Sequence, residues 1–196
     1  PASFISSRWQ ALERTLLRVY AGQWQEIPFR SELPVSYARD VVEFGQYTLA
    51  ATDQGLFQLR NQAFVSMQLP MQPPRFNVER MALAPDGALW LGLWEQGVLR
   101  IDASAAQHDI AAWRPQQLQP QAQPLEGIID IRTDPKQRLW LLSRQGKLYL
   151  GRPNGIDLKW QAPATLSSGY FQCMLPEGDI IWLCTDRGLI RLSDNL

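Results

Sequence analysis

The 196-residue chain has a single histidine, His108, which excludes histidine-rich metal cages and any site that needs two imidazoles. Its two cysteines, Cys173 and Cys184, stand too far apart for a C-x-x-C pair or a zinc-ribbon spacing. Lys+Arg and Asp+Glu both number 19, for a formal net charge of zero. With no long-range field of one sign to attract a phosphate backbone or an anionic membrane, nucleic acid is not an expected partner. The strongest apolar run, around 180–184, falls far short of the roughly 20 residues that a bilayer-spanning helix needs, so no transmembrane segment is expected. The opening PASFISS lacks a methionine, a basic leader and a long apolar core, so it reads as neither a signal peptide nor a natural translation start, and processing or excision from a longer chain is implied. Phosphate-loop, nucleophile-elbow and dinucleotide fingerprints are missing. No catalytic residue, cofactor or metal ligand is nominated, and the chain is read as not an enzyme.

What is present is repetition. An apolar strand bearing a large residue, a polar loop, a glycine and a second apolar strand recur as YTLAATDQGLFQL (47–59), LWLGLWEQGVLRID (89–102), RLWLLSRQGKLYL (138–150) and IIWLCTDRGLIRL (180–192). Gly55, Gly97, Gly146 and Gly188 stand 42, 49 and 42 residues apart, a period that points to an all-β propeller. A 45% hydrophobic content and eight tryptophans supply enough apolar surface for a core. Each unit opens on an apolar strand, ARDVVEF (38–44), VERMALA (78–84), GIIDIRT (127–133) or YFQCML (170–175), and turns through Gly, Pro and acidic residues, with Asp86-Gly87 the strongest hairpin signal. A weaker fourth strand is traced by Phe64, Trp113 and Trp160, and Trp24 has the same character. The units are placed at about 35–75, 76–125, 126–167 and 168–196, after a partial unit at 1–34. Four to five blades follow from a repeat of about 42 residues, either a small ring or part of a larger one that another chain or domain completes.

Trp90, Trp140 and Trp182 obey the repeat and are assigned to the core between blades. Residues 8–20 are read as a short helix ending in a strand near 16–20, the alternative being a degenerate blade. The last unit stops after three strands, and 23–27 is the candidate that closes the ring from the N-terminal side. The stretch RPQQLQPQAQPL (114–125) reads as an extended connector. With PEGD (176–179) as the hairpin turn, the two cysteines fall diagonal to each other, so two buried thiols are expected in place of a bridge. His108 reads as a solvated loop residue, and Asp86 and Asp134 as turn residues.

The string APDGALWLGLWEQGVLRID resembles the propeller repeat of two-component regulators, and QRLWLLSRQGKLYL and DIIWLCTDRGLIRL extend the resemblance over about 35–192. It implies a seven-bladed propeller in the extracytoplasmic, often periplasmic, sensor region of a signalling protein, with ligand sensing as its task. Leu49 replaces the tryptophan in the first copy, and the family's threonine survives only as Thr52 and Thr185.

Binding residues concentrate on loops held by a rigid scaffold. The loops between the second and third strands present Asp53 and Gln54, Trp94, Glu95 and Gln96, Arg144 and Gln145, and Asp186 and Arg187, and they gather at one rim. Trp94 breaks the repeat that Trp90 obeys, and is read either as a partly exposed contact residue or as loop packing. The expected partner is an unidentified small ligand or protein. Two rival readings remain beside the sensor: a protein- or glycan-binding scaffold, and a propeller lyase or lactonase whose catalytic groups come from separate blades.

Overall fold

The computed structural model describes residues 3–6, 9–12, 15–70, 76–120, 125, 127–163 and 170–193. Strands β1 (Ser3–Ser6), β2 (Trp9–Leu12), β3 (Thr15–Tyr20) and β4 (Gln23–Arg30) make blade 1, and β5 (Ala38–Phe44), β6 (Tyr47–Thr52), β7 (Gly55–Arg60) and β8 (Ala63–Ser66) make blade 2. Blade 3 holds β9 (Val78–Leu83), β10 (Leu89–Leu93), β11 (Gly97–Ile101) and β12 (Gln116–Leu118). Blade 4 holds β13 (Ile128–Thr133), β14 (Leu139–Ser143), β15 (Lys147–Arg152) and β16 (Gly155–Gln161). Blade 5 has three described strands, β17 (Phe171–Glu177), β18 (Ile180–Thr185) and β19 (Gly188–Ser193). Within each blade the pairing is antiparallel and sequential, and the first strands of consecutive blades approach one another along an axis. The fold is an all-β propeller, here an arc of five blades.

The repeat glycines have a common cause. Gly55, Gly97, Gly146 and Gly188 all hold positive φ, between 73° and 126°, which side chains with a Cβ rarely adopt. At Gly146 a Cβ would also stand 2.2 Å from the Phe171 ring of the next blade, so the turn and the contact between blades both require glycine.

Period-2 alternation puts one face of each sheet against the next, and four buried clusters result. Trp9, Leu16, Phe57 and Phe64 join blades 1 and 2. Leu49, Leu91, Leu99 and Trp113 join blades 2 and 3. Trp90, Ile131, Leu139 and Tyr149 join blades 3 and 4, and Trp140, Phe171, Met174 and Leu183 join blades 4 and 5. Trp90 and Trp140 are each 1% exposed, and truncating such a ring costs about 3–5 kcal/mol. Each projects toward the following blade. Trp182 is half-buried, because nothing among the described residues follows blade 5.

Several expectations are corrected. Residues 9–12 and 15–20 form a hairpin with Trp9 opposite Arg18, not a helix; Trp9 and Leu16 share the face that packs on Phe64, so alternation outweighs helix propensity. The 23–27 segment does not close the ring onto blade 5. It belongs to β4, which pairs with β3 and then runs parallel to β8 through Phe29 and Arg30. Trp113 is not on a fourth strand but follows a 3₁₀ turn at Ile110–Ala112, and the strand is Gln116–Leu118, inside the stretch expected to be only a connector. Residues 121–124 of that stretch lie outside the described residues. Finally, Cys173 and Cys184 form a disulfide with Cα atoms 5.0 Å apart. Strand β17 runs on through Pro176 and Glu177, leaving only Gly178 and Asp179 as the turn, and this register places the two cysteines directly opposite each other.

Candidate functional site: the rim cleft and the axial charges

The rim loops are tied to the strands beside the axis by a recurring hydrogen bond. Trp94 N donates to Asn77 O, Arg144 N to Gly127 O and Asp186 N to Tyr170 O, at 3.0–3.1 Å. In blade 2 the side chain does this work: Asp53 Oδ1 accepts from Ser36 N at 3.0 Å and Tyr37 N at 3.4 Å. Asp186 Oδ1 likewise accepts from Tyr170 N at 3.0 Å. Thr52 and Thr185 brace the turns, each Oγ1 donating to the carbonyl of the repeat glycine at 2.9 Å. Both aspartates and both threonines therefore hold the scaffold whatever else they do.

Asp53 and Gln54 of blade 2 meet Trp94, Glu95 and Gln96 of blade 3 around a cleft of about 320 Å³, completed by Phe76 and Asn77. Trp94 is half-buried, and the Arg144 guanidinium lies 4.0 Å from its ring centroid, a cation–π stack. Backbone packs tightly here: a Cβ at Gly127 would stand 1.8 Å from Trp94 O. Five of the rim residues are thus brought together, with Arg144 adjoining them through Trp94. Gln145 is exposed on the blade 4 loop. Asp186 and Arg187 stand exposed on blade 5 and do not join the cleft.

Sequence reasoning missed the charges on the axial strands. Asp40, Arg80 and Asp130 each follow a β-bulge in β5, β9 and β13, with Cys173 at the same position of β17. Asp40 Oδ1 accepts from Val41 N at 2.9 Å, and its Oδ2 accepts from Met81 N of the next blade at 3.1 Å. Asp130 repeats the strap, with Ile131 N at 3.0 Å and Met174 N at 2.9 Å. Arg132 Nε lies 3.0 Å from Asp130 Oδ1, Arg80 Nε lies 3.7 Å from it, and Arg39 Nε lies 3.3 Å from Glu79 Oε2. Burial pushes the Asp40 carboxyl up to about 6 against the pull of Met81 N–H and Arg80, and burial also raises Glu79 and Asp130. A charged residue at the third place of each of β5, β9 and β13 was the available signal, hidden by the apolar character of those strands.

Beneath the cleft, Asn77 Nδ2 lies 3.2 Å from Tyr37 Oη, while Asn77 Oδ1 and Glu79 Oε1 are buried without partners. Arg39 links Tyr37 and Glu79, its Nε 3.3 Å from Glu79 Oε2 and its guanidinium 4.1 Å from the Tyr37 ring centroid, so Tyr37, Asn77, Glu79 and Arg39 make one polar cluster under the cleft. His108 is exposed in its loop, and its carbonyl accepts from Tyr47 Oη at 2.6 Å. Among the described residues no three His, Cys, Asp or Glu side chains converge to hold a metal ion, and no helix is long and apolar enough to cross a membrane.

No protein-family model and no curated protein matches this chain. Solved structures do. The extracellular domain of the one-component system BT4673 from B. thetaiotaomicron superposes with a TM-score of 0.60 at 15% identity, over 95% of this chain and 33% of that one, and a second structure of that domain, described as a hybrid two-component system, gives 0.54 at 14% over the same shares. Catalytically inactive virginiamycin B lyase from Staphylococcus aureus with quinupristin gives 0.67 at 15% identity over 94% and 61%. YCF48 bound to D1 peptide gives 0.60 at 12% identity over 98% and 63%. The chain spans a third of the first of these and under two thirds of the others. The first agrees with the resemblance to two-component regulator propellers, and together these neighbours show that the chain has the β-propeller fold.

Proposed function

We propose that the chain is a non-catalytic sensing segment of an extracytoplasmic signalling protein, with the rim cleft as its ligand- or partner-binding site. The observation that carries this reading is that the cleft is assembled from loops of two different blades, Asp53 and Gln54 on one and Trp94, Glu95 and Gln96 on the other. Those blades are strapped at the axis by Asp40 and Met81. An occupant that bridges the loops favours one relative setting of the blades, and differential affinity for two settings is what a sensor needs. The repeat resemblance and the extracellular neighbour support the signalling half, and the Cys173–Cys184 bridge suits an oxidising compartment. The axial carboxylates Asp40 and Asp130 are engaged by backbone N–H groups, which argues for strapping and not for acid–base work.

The test is to place Gln54→Arg with Glu95→Arg in the full-length parent protein and measure its signalling output. The expected result is loss of the response with an unchanged thermal midpoint. A normal response from a folded double variant rejects the reading.

A second reading, a partner-binding platform, is favoured by the outward face of blade 5, where Leu175 is 57% and Leu189 68% exposed beside half-buried Trp182. Such a patch marks a contact surface.

A further inference from the structure

A second site lies at the opposite end of the blades, where the turns joining first and second strands gather. Trp90 and Trp140 occupy equivalent positions on β10 and β14, and the turns before them match bond for bond. Ala84 N donates to Ala88 O and Gly87 N to Ala84 O, as Asp134 N donates to Arg138 O and Gln137 N to Asp134 O, all at 2.8–2.9 Å. In blade 4 the Trp140 indole Nε1 donates to Asp134 Oδ2 at 2.9 Å. In blade 3 the equivalent residue is Ala84, and Trp90 Nε1 is buried without an acceptor.

Directly opposite Trp90 across the β10–β11 pairing stands Arg100. Its Nη atoms are taken by Asp86 and Asp102, while its Nε is a second buried donor without a partner. Trp90 is 1% and Arg100 8% exposed. An unmade hydrogen bond at a buried donor is costly, and here two occur on one sheet face. Beside Trp90, between blades 3 and 4, opens a cleft of about 420 Å³ whose lining includes Ala84, Trp90, Arg138, Leu139, Leu150 and Gly151. That volume is in the range of small-molecule sites.

We propose that this cleft between blades binds a small, mainly apolar, uncharged molecule through a carbonyl-type acceptor that takes the place of the carboxylate missing at Ala84. The acceptor meets the Trp90 indole N–H, with Arg100 Nε–H behind it, while the apolar body lies between Leu139 and Leu150. Charge selects a neutral acceptor over an anion. Arg100 already faces two carboxylates, Asp86 and Asp102, Arg138 is paired with Asp134, and Arg152 with Asp157, so the neighbourhood holds no cation in excess. This site is independent of the rim cleft and of the sensing reading.

The experiment uses ¹⁵N-labelled protein, with the Trp90 indole signal assigned among the eight by Trp90→Phe. Three probes of similar size are titrated: N-phenylacetamide, the hydrocarbon ethylbenzene and the anion phenylacetate. The expected result is a saturable shift of the Trp90 Nε1–H signal with N-phenylacetamide, binding about tenfold weaker for the other two, and loss of that binding in Ala84→Asn, which supplies an internal acceptor. If Ala84→Asn does not fold, Trp90→Phe decides: it is expected to bind ethylbenzene and to lose most of the preference for the amide. No saturable shift, equal binding of ethylbenzene and the amide, tighter binding of phenylacetate, undiminished amide binding in folded Ala84→Asn, or an undiminished preference in Trp90→Phe overturns the proposal.

Discussion

Asp40 holds one oxygen on its own blade and the other on the next, so its ionisation is linked to the seam between them. Its carboxyl titrates at about 6 in the folded protein against 3.8 ordinarily. Between those values the folded state binds the proton more tightly than the unfolded chain. The stability due to Asp40 is therefore greatest below about pH 4, falls as pH rises toward 6, and is flat above; the full swing is about 3 kcal/mol at most. Asp40→Asn keeps one acceptor and cannot titrate, so urea unfolding from pH 4 to pH 7 is expected to show a gentler fall in the variant than in the parent. At Gly127 sterics decide. A Cβ 1.8 Å from the Trp94 carbonyl forces the backbones of blades 3 and 4 apart, and Gly127→Ala is expected to cost roughly 2–4 kcal/mol in chemical denaturation.

Among elements, the β-bulge repeated on the strands beside the axis sets which side chain turns inward, and a bulge is hard to read from one sequence. The periodic glycines and tryptophans made the blades legible because left-handed turns and wide wedges admit few residue types. Charged Asp40, Arg80 and Asp130 stayed hidden because their hydrogen bonds run to strands about 40 residues away. The rim loops were legible as a group from spacing alone, whereas the split between Trp94, at the cleft, and Asp186, outside it, depends on which blades are neighbours. The disulfide hinges on the length of a turn, two residues and not four. Because it joins adjacent strands with a sequence separation of only 11, replacing both cysteines with serine is expected to cost about 2–3 kcal/mol, measured by guanidinium unfolding. Strand β12 was concealed by prolines and glutamines. Gln117→Pro, at a residue that faces Leu99 in the ladder, is expected to lower the thermal midpoint by several degrees, read by circular dichroism.

The whole arc presents an unfinished wall. Blade 5 turns Leu175, Trp182 and Leu189 outward together with the disulfide, on the face that in blade 4 receives a neighbour. The isolated 196-residue chain is expected to associate through this wall, and Leu175→Lys with Leu189→Lys to return it to a monomer by light scattering. The first seam differs from the rest. There β4 lies parallel to β8, and Phe29 stacks on Phe64 with ring centroids 5.4 Å apart, so the outermost strands of blades 1 and 2 are stitched as well as their inner faces. Blades 1 and 2 are thereby joined in one continuous eight-stranded sheet, which resists splaying at this seam. Any bending of the arc is left to the joints beyond it, and the first of those is the joint that the rim loops straddle.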